Sequence, residues 1–166
     1  MREPVRASIR TYDTPRLQQR LAIMEMSLTG VLDSRRVLVA DDDPLTSQML
    51  AVIAKKEGYE IVSVHDGREA YRLLKSDADF KAAVINITMT NLRGLDILRH
   101  MKTEKRLMRI PVLVVSGESG LKQMADSFAA GATMFLPKPL TQDQLHRTLR
   151  IALTSRESKR QFPRAA

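Results

Sequence analysis

The chain of 166 residues contains no cysteine and no tryptophan, and aromatic residues make up only 4% of it. Without thiols, neither a disulfide framework nor a thiolate metal centre can form. No apolar run reaches the roughly 18 residues of a membrane span, and the N-terminus lacks the apolar block of a signal peptide. We therefore expect a cytoplasmic protein with one domain that buries its own core, and short extensions.

Acidic residues are also in the minority. Lys and Arg number 27 against 19 Asp and Glu, a formal net charge of +8. Such a surplus favours acidic partners, nucleic acid or an anionic surface, although surplus charge is usually solvated surface. One basic run, RHMKTEKRLMR, covers residues 99–109. With so few aromatic residues for stacking, specific base readout is not expected, which favours an acidic protein surface or a cyclic dinucleotide as the ligand. An effector that binds a nucleotide or nucleic acid through this basic stripe remains the alternative function.

Five short apolar runs, rich in β-branched residues, alternate with segments of helical period. Because the runs are apolar almost throughout, they fit strands that are covered on both faces, as in a parallel sheet. This alternation predicts a doubly wound α/β domain over residues 35–156. The five runs are residues 37–40, 61–64, 82–87, 112–115 and 133–136.

The segments between the runs carry helix signals. The first has Asp43 as N-cap, Pro44 at the first helical position and Gly58 as a stop, and the last begins with Thr141 and Gln144 as a capping box. In each helix apolar residues share one face, the face that an amphipathic helix turns toward its core. Successive helices have Leu45, Met49, Val52 and Ile53; Ala70, Leu73 and Leu74; Leu95, Leu98 and Met101; and Leu121, Met124, Ala125 and Phe128.

Polar side chains gather at the carboxyl ends of the predicted strands, where sheets of this kind bind ligands. Carboxylates suit a hard cation such as Mg²⁺, a lysine suits an oxyanion, and a hydroxyl can bond a phosphoryl oxygen. Alternatively, the acids merely cap the next helix and the lysine pairs with them. The residues are Asp41, Asp42 and Asp43, Asn86, Ser116 and Lys138.

Four stretches resemble the receiver domain of two-component response regulators of the chemotaxis-regulator type, over about 120 residues. They are VLVADDDP at 37–44, MTNLRG at 89–94, VVSG at 114–117 and FLPKPL at 135–140. The resemblance implies a flavodoxin-like five-stranded sheet of order 2-1-3-4-5. It also implies a Mg²⁺-binding acidic pocket, a switch hydroxyl, a switch aromatic, and a phosphate-sensing lysine before a cis proline. These roles fall on Asp41 and Asp42, on Ser116, on Phe135, and on Lys138 and Pro139.

Asn86 stands where this family carries the phosphoacceptor aspartate. An amide is a poor nucleophile because its nitrogen lone pair is delocalised, and it cannot form an acyl phosphate without losing ammonia. The resemblance therefore implies a stand-alone degenerate receiver, not an enzyme, with no cofactor and at most weak Mg²⁺ binding at Asp41 and Asp42. Lys138, deprived of its aspartate, is expected to turn to Asp42 or to the Asn86 carbonyl oxygen.

Two further residues, Thr90 and Arg93, depart from the family, which usually has proline and aspartate there. Asn86 by itself is what an engineered, phosphorylatable regulator with a neutralised aspartate would show, but two more departures favour natural divergence. Arg93 either holds a fixed positive charge over the loop or is a solvated loop arginine.

The family usually contacts its partners through the fourth helix, the fifth strand and the fifth helix. We therefore expect a histidine kinase, another regulator or an output protein to bind this surface. Its candidate residues in this chain are Lys122, Gln123, Phe135, His146 and Arg150.

Two extensions flank the predicted domain. The N-terminal extension, residues 1–34, has a helix predicted at 14–29, and its apolar residues within 17–31 follow a heptad pattern over about two repeats. This helix either packs on the domain or pairs with a second copy or a partner helix. The tail, residues 157–166, is basic and turn-prone, and we predict that it is flexible.

Overall fold

A computed structural model describes residues 35–118 and 120–161, the last seven of them by backbone alone. The helix predicted at 14–29, the heptad residues at 17–31 and the tail beyond residue 161 lie outside the described residues. The chain divides into two units between Ser34 and Arg35, where the sequence analysis also sets a domain boundary. Within the described part, no helix is both long and apolar enough to cross a bilayer.

Strands and helices alternate along the described chain, and all five predicted strands form within one residue of their expected bounds. The strands make one parallel sheet of order β2-β1-β3-β4-β5, which confirms the doubly wound, flavodoxin-like fold. The elements are β1 Arg36–Ala40, α1 Pro44–Lys56, β2 Glu60–Val64, α2 Gly67–Ser76, β3 Ala82–Asn86, α3 Gly94–Thr103, β4 Val112–Ser116, α4 Leu121–Ala130, β5 Met134–Pro137 and α5 Gln142–Gln161.

Helices cover both faces of the sheet. Along β1, Leu38 and Ala40 enter a core completed by α2, α3 and α4, whereas Val37 and Val39 enter a second core completed by α1 and α5. Because neither face of the three central strands, β1, β3 and β4, meets water, nearly every side chain along them gains by being apolar. This double burial is why the strands appear in the sequence as continuous apolar runs.

The strand order places β1 directly beside β3. In their register Ala40 lies opposite Ile85, so Asp41 and Asn86 emerge next to each other at the carboxyl end of the sheet. The chain reverses its strand order at this point, which is where open α/β sheets form their ligand crevice.

The apolar face predicted for α1 is not its buried face. Leu45 is 65% exposed and Val52 50% exposed, and of the predicted residues only Ile53 is fully buried. The helix instead packs through a neighbouring stripe that includes hydroxyl and small side chains, namely Thr46, Ser47, Leu50, Ile53 and Ala54. One hydroxyl on this stripe is satisfied locally, since Thr46 donates to the N-cap Asp43 over 2.9 Å.

The face predicted for α4 also points away from the core. Leu121, Met124 and Phe128 are 80%, 36% and 47% exposed, while Ser127 and Ala130 are buried. The Ser127 hydroxyl donates to the Gln123 carbonyl oxygen over 2.7 Å, so its burial leaves no unpaired polar group. The helix therefore packs on the sheet through small residues, and its larger apolar side chains remain on the surface.

The start of α5 follows the sequence prediction, whereas its end does not. The Gln144 amide donates to the Thr141 hydroxyl and the Thr141 amide to the Gln144 side chain, each over 3.2 Å, which confirms the capping box. The helix then continues through Gln161, five residues into the predicted tail 157–166. Residues 157–161 contain neither glycine nor proline and are mostly good helix formers, so nothing in them stops the helix before Pro163.

Candidate functional site

Three consecutive aspartates follow β1 and have different environments. Asp43 caps α1, because its side chain accepts hydrogen bonds from the Leu45 amide at 3.0 Å and from the Thr46 hydroxyl at 2.9 Å. These bonds, the Leu45 bond foremost, hold the pKa of Asp43 below its ordinary value. Asp41 is fully buried and Asp42 is exposed. Capping thus accounts for Asp43, and the other two carboxylates face the crevice.

Lys138 reaches into this crevice from the end of β5, and its peptide bond to Pro139 is cis, as the resemblance implied. Its Nζ lies 2.9 Å from Oδ2 and 3.2 Å from Oδ1 of Asp41. The expectation that it turns to Asp42 or to the Asn86 oxygen is therefore wrong. A buried carboxylate is the stronger partner, because the amide oxygen carries no full charge and water competes for the exposed Asp42.

Asn86 ends β3 and is 3% exposed. Its Nδ2 lies 2.9 Å from Oδ1 of Asp41, 3.0 Å from Oδ1 of Asp42 and 3.3 Å from the Thr88 carbonyl oxygen. Its Oδ1 accepts hydrogen bonds from the Thr88 amide at 3.3 Å and hydroxyl at 3.4 Å. The opposite orientation would place a carbonyl oxygen against two carboxylates. The amide therefore bridges both aspartates as a donor, and all its polar atoms are paired.

The family resemblance implies Mg²⁺ at this place. Magnesium needs oxygen ligands that converge on one point. Here the N–H donors of Asn86 point at the two carboxylate oxygens that would have to turn toward a cation. Across the part of the chain that the structure describes, no group of three or more His, Asp or Glu side chains could hold a metal. The residues of this pocket do not fit a Mg²⁺ site.

The two switch residues lie at the ends of β4 and β5. Ser116 is fully buried, and its hydroxyl oxygen accepts a hydrogen bond from the Glu118 amide at 3.0 Å. Its carbonyl oxygen accepts one from the Lys138 amide at 2.7 Å, which ties the two strand ends together. Phe135 is half-buried and packs against the core beneath α2, α3 and α4. Both residues are thus held by contacts that involve no phosphoryl group.

The loop between β3 and α3 is closely packed around Thr90. The Thr90 carbonyl oxygen accepts a hydrogen bond from the Gly67 amide at 3.2 Å, while the Thr90 residue itself is exposed. A Cβ on Gly67 would collide with the carbonyl oxygen of Leu92, and one on Gly94 would collide with that of Asn86. These two glycines let the starts of α2 and α3 approach the pocket loop closely.

Arg93 directs its charge away from the crevice. Its side chain is 73% exposed, and its Nε lies 3.3 Å from Oδ2 of Asp96 in the first turn of α3. Asp96 also pairs with Arg99 over 2.8 Å. This geometry favours the interpretation of Arg93 as a solvated loop arginine over that of a fixed charge above the pocket.

The predicted partner-binding residues lie on opposite faces of the sheet. On α4, Lys122 is 90% exposed and pairs with Asp126 over 3.1 Å, and Gln123 is half-buried beside it. On α5, His146 and Arg150 point toward α1 instead of toward α4.

Glu57, at the end of α1, receives both of these α5 side chains. His146 Nε2 lies 2.6 Å and Arg150 Nε 4.0 Å from its Oε1. The hydrogen bond from His146 first, and then the charges of Arg150 and His146, lower the pKa of Glu57. His146 and Arg150 thus link two helices on the same face of the sheet.

Sequence reasoning missed two residues of this arrangement. Thr88 was not predicted, although an asparagine side chain commonly accepts a hydrogen bond from the backbone N–H two residues on, so a local signal existed. Glu57 was also missed, and no local signal points to it, because its partners are 89 and 93 positions away in the chain.

Comparison with known proteins agrees with this geometry. A family model for the response regulator receiver domain matches residues 37–150. Chemotaxis protein CheY1 of Helicobacter pylori is 26% identical over 119 residues, which cover 71% of this chain and 96% of that protein. The cell cycle transcriptional regulator CtrA of Caulobacter vibrioides is 29% identical over 124 residues, which cover 75% of this chain but 52% of CtrA.

A solved structure has the same fold. The chemotaxis response regulator CheY4 of Vibrio cholerae superposes with a TM-score of 0.66 at 26% identity, over 72% of this chain and 99% of that one. The chain therefore spans nearly all of the chemotaxis proteins and about half of CtrA. Since the family model covers more than half of its residues, the chain belongs to the response regulator receiver domains of two-component signalling.

Proposed function

We propose that this receiver domain signals without a phosphoryl group at Asn86 and acts, as a non-enzymatic adaptor, by binding another protein. The observation that supports the proposal is the Asn86 amide, which donates to both Asp41 and Asp42. An acyl phosphate requires an ionised carboxylate as nucleophile. At this place the chain has an amide that is already engaged on both sides.

The pairing of Lys138 supports the same proposal. In a phosphorylated receiver a free ammonium group at this position would meet a phosphoryl oxygen, but here the Nζ is bonded to both oxygens of buried Asp41. A ligand shifts an equilibrium only by its different affinity for two states. A pocket whose charges are already paired has no need of such a ligand to hold its conformation.

The exposed apolar side of α4 is the surface that we propose for the partner. Leu121, Met124 and Phe128 recur at steps of three and four residues, and all three are exposed. An apolar stripe of this kind suits a complementary helix or groove on another protein. The partner classes that we propose are a histidine kinase, another regulator or an output protein.

Phosphorylation chemistry tests the proposal directly. The protein is incubated with acetyl phosphate and Mg²⁺, and its intact mass is measured, with a receiver domain that carries aspartate at the acceptor position in a parallel reaction as reagent control. We expect the control to gain a phosphoryl group and this protein to gain none, because the nucleophile is missing. A stoichiometric, acid-labile phosphoryl group on this protein would overturn the proposal, as would a source gene that encodes aspartate at position 86.

Binding to a partner recovered by cross-linking tests the surface. Phe128→Glu is expected to abolish binding because it puts a charge in the apolar stripe, whereas Ser116→Ala should leave it unchanged because the hydroxyl has no phosphoryl group to bind. Loss of binding in Ser116→Ala alone would show that the switch still operates through another input.

A further inference from the structure

The second end of the sheet carries a groove that the receiver site does not explain. It lies at the amino end of β4, beside Val112, whereas Ser116 at the other end of the same strand borders the pocket of Asn86. The last turn of α3 and the loop leading into β4 form one wall, and Gly131 and Thr133, before β5, form the other. The volume of the groove is about 180 Å³.

Apolar side chains lie beneath the groove, and polar and apolar atoms share its accessible surface. Leu98, Met101, Leu107 and Ile110 line it, and each is at most 5% exposed. Met108 stands at its edge and is 52% exposed, so it offers apolar surface to a ligand. An apolar side chain that enters this depression and contacts Met108 would gain by leaving water.

One wall depends on a glycine. Gly131 has φ +116, and a Cβ there would come within 2.9 Å of Cγ and Cε of Lys102. The aliphatic part of Lys102 therefore lies across Gly131, and the residue as a whole is exposed. A long side chain at position 102 thus gives the groove both an apolar wall and a charged edge.

The mouth of the groove is strongly basic. Residues 99–109 hold five Lys or Arg and a single acid, Glu104. Arg99 and Arg106 have carboxylate partners, whereas the exposed Lys102 and Arg109 at the groove have none among the residues that the structure describes. Two cations beside these apolar side chains form a surface complementary to an apolar group flanked by negative charge.

The size of the groove favours an acidic protein segment over a cyclic dinucleotide as the ligand of the basic run. Pockets for drug-sized ligands measure about 300–1,000 Å³, so a cyclic dinucleotide exceeds this one. A cavity of about 150 Å³ can hold one benzene molecule, which is close to the size of a single leucine or phenylalanine side chain. The groove therefore matches one side chain of a peptide.

We propose that this groove, formed by the end of α3, the loop before β4 and Gly131, binds an acidic segment of a partner protein that inserts one large apolar side chain. The apolar side chain occupies the groove, and the flanking carboxylates meet Lys102 and Arg109. This binding does not involve Asn86 and is independent of the function proposed above.

Titration of the full chain with a synthetic acidic peptide, Glu-Asp-Glu-Leu-Glu-Asp-Glu, tests the proposal. Replacing its leucine by alanine should weaken binding at least about tenfold, because the apolar contact is lost. Lys102→Glu and Arg109→Glu should each weaken it by about tenfold at low salt, with a smaller loss at high salt. Binding is measured by fluorescence anisotropy, and circular dichroism verifies folding.

Matched variants separate the groove from general surface effects. Lys56→Glu reverses an exposed charge at the end of α1 and should leave the affinity unchanged. Met108→Ala should weaken binding, whereas Val52→Ala, which shortens a side chain of similar exposure on α1, should not. If peptides with leucine and with alanine bind equally, or if Lys56→Glu weakens binding as much as Lys102→Glu, the site is only a diffuse basic surface and the proposal is wrong. Tighter binding of a cyclic dinucleotide or a short DNA duplex than of the acidic peptide would overturn it too.

Discussion

The two ends of the central sheet differ in whether their charged groups are paired. At the carboxyl end, buried Asp41 is matched by Lys138 and by the amide of Asn86. At the amino end, Lys102 and Arg109 stand at a groove with no carboxylate partner among the described residues. The family resemblance directs attention to the first end. Among the described residues of these two ends, however, the charged groups without a partner lie at the amino end, where they remain available to a ligand.

Burial explains this difference. A charge taken out of water must find a partner, so the pocket around Asp41 is satisfied internally or not formed at all. Cations on the surface carry no such requirement, because water solvates them. An unpartnered cation therefore becomes informative only where another feature, here a groove with apolar side chains beneath it, adjoins it.

The largest loss of stability is expected from removing the buried carboxylate of Asp41. Asp41→Ala leaves the Asn86 amide and the Lys138 ammonium without their buried partner, and we expect the free energy of unfolding to fall by about 3 kcal/mol. Asp42→Ala is the matched control. It removes a neighbouring exposed carboxylate whose only hydrogen bond among the described residues is with the Asn86 amide, and it should cost less than about 1 kcal/mol. Urea denaturation of both variants measures the difference, and equal losses would mean that the pocket does not depend on its buried member.

Restoring a carboxylate at position 86 should turn the carboxyl end of the sheet into a cation site. In Asn86→Asp the donor between Asp41 and Asp42 becomes a third negative group, so Mg²⁺ affinity measured by calorimetry should rise at least about tenfold over the native chain. Asn86→Ala removes the donor without adding charge and should show no comparable gain. If Asn86→Asp binds Mg²⁺ no better than the native chain, the acidic pocket is not assembled as the structure shows.

A smaller change in stability is expected from the contact between α1 and α5 at Glu57, and it should depend on pH. Its folded-state pKa is lowered from the ordinary 4.5 by the hydrogen bond from His146 and by Arg150. A lowered acid pKa contributes stability that is present above pH 4.5 and is lost as the pH falls through the folded-state value. The stability difference between the native chain and Glu57→Gln should therefore shrink as the pH is lowered below 4.5.

The double variant with His146→Ala is the control for this effect. Because His146 is the main cause of the lowered pKa, Glu57→Gln should have a smaller effect once that side chain is gone. Urea denaturation over a series of pH values measures both differences. An unchanged pH profile in His146→Ala would assign the effect to Arg150 instead.

Sequence reasoning was most accurate where burial is uniform. The three central strands were predicted within one residue because a parallel strand that is covered on both faces is apolar along nearly all of its length. Helix starts were also predictable, since Asp43 and the Thr141–Gln144 box satisfy backbone groups only a few residues away. The predictions of which faces of α1 and α4 are buried were wrong. A stripe of apolar residues indicates a helix but does not show which side of it packs on the sheet.

The order of strands and helices, the polar groups at the strand ends and the amide in place of the acceptor carboxylate can all be read from the chain alone, because local patterns and covalent chemistry specify them. Folding in three dimensions is what pairs Lys138 with Asp41, makes Asn86 donate to two carboxylates and leaves apolar side chains of α4 exposed to water. Each of these outcomes depends on which groups lose contact with solvent. Burial is set by residues far apart in the chain, which no local pattern specifies.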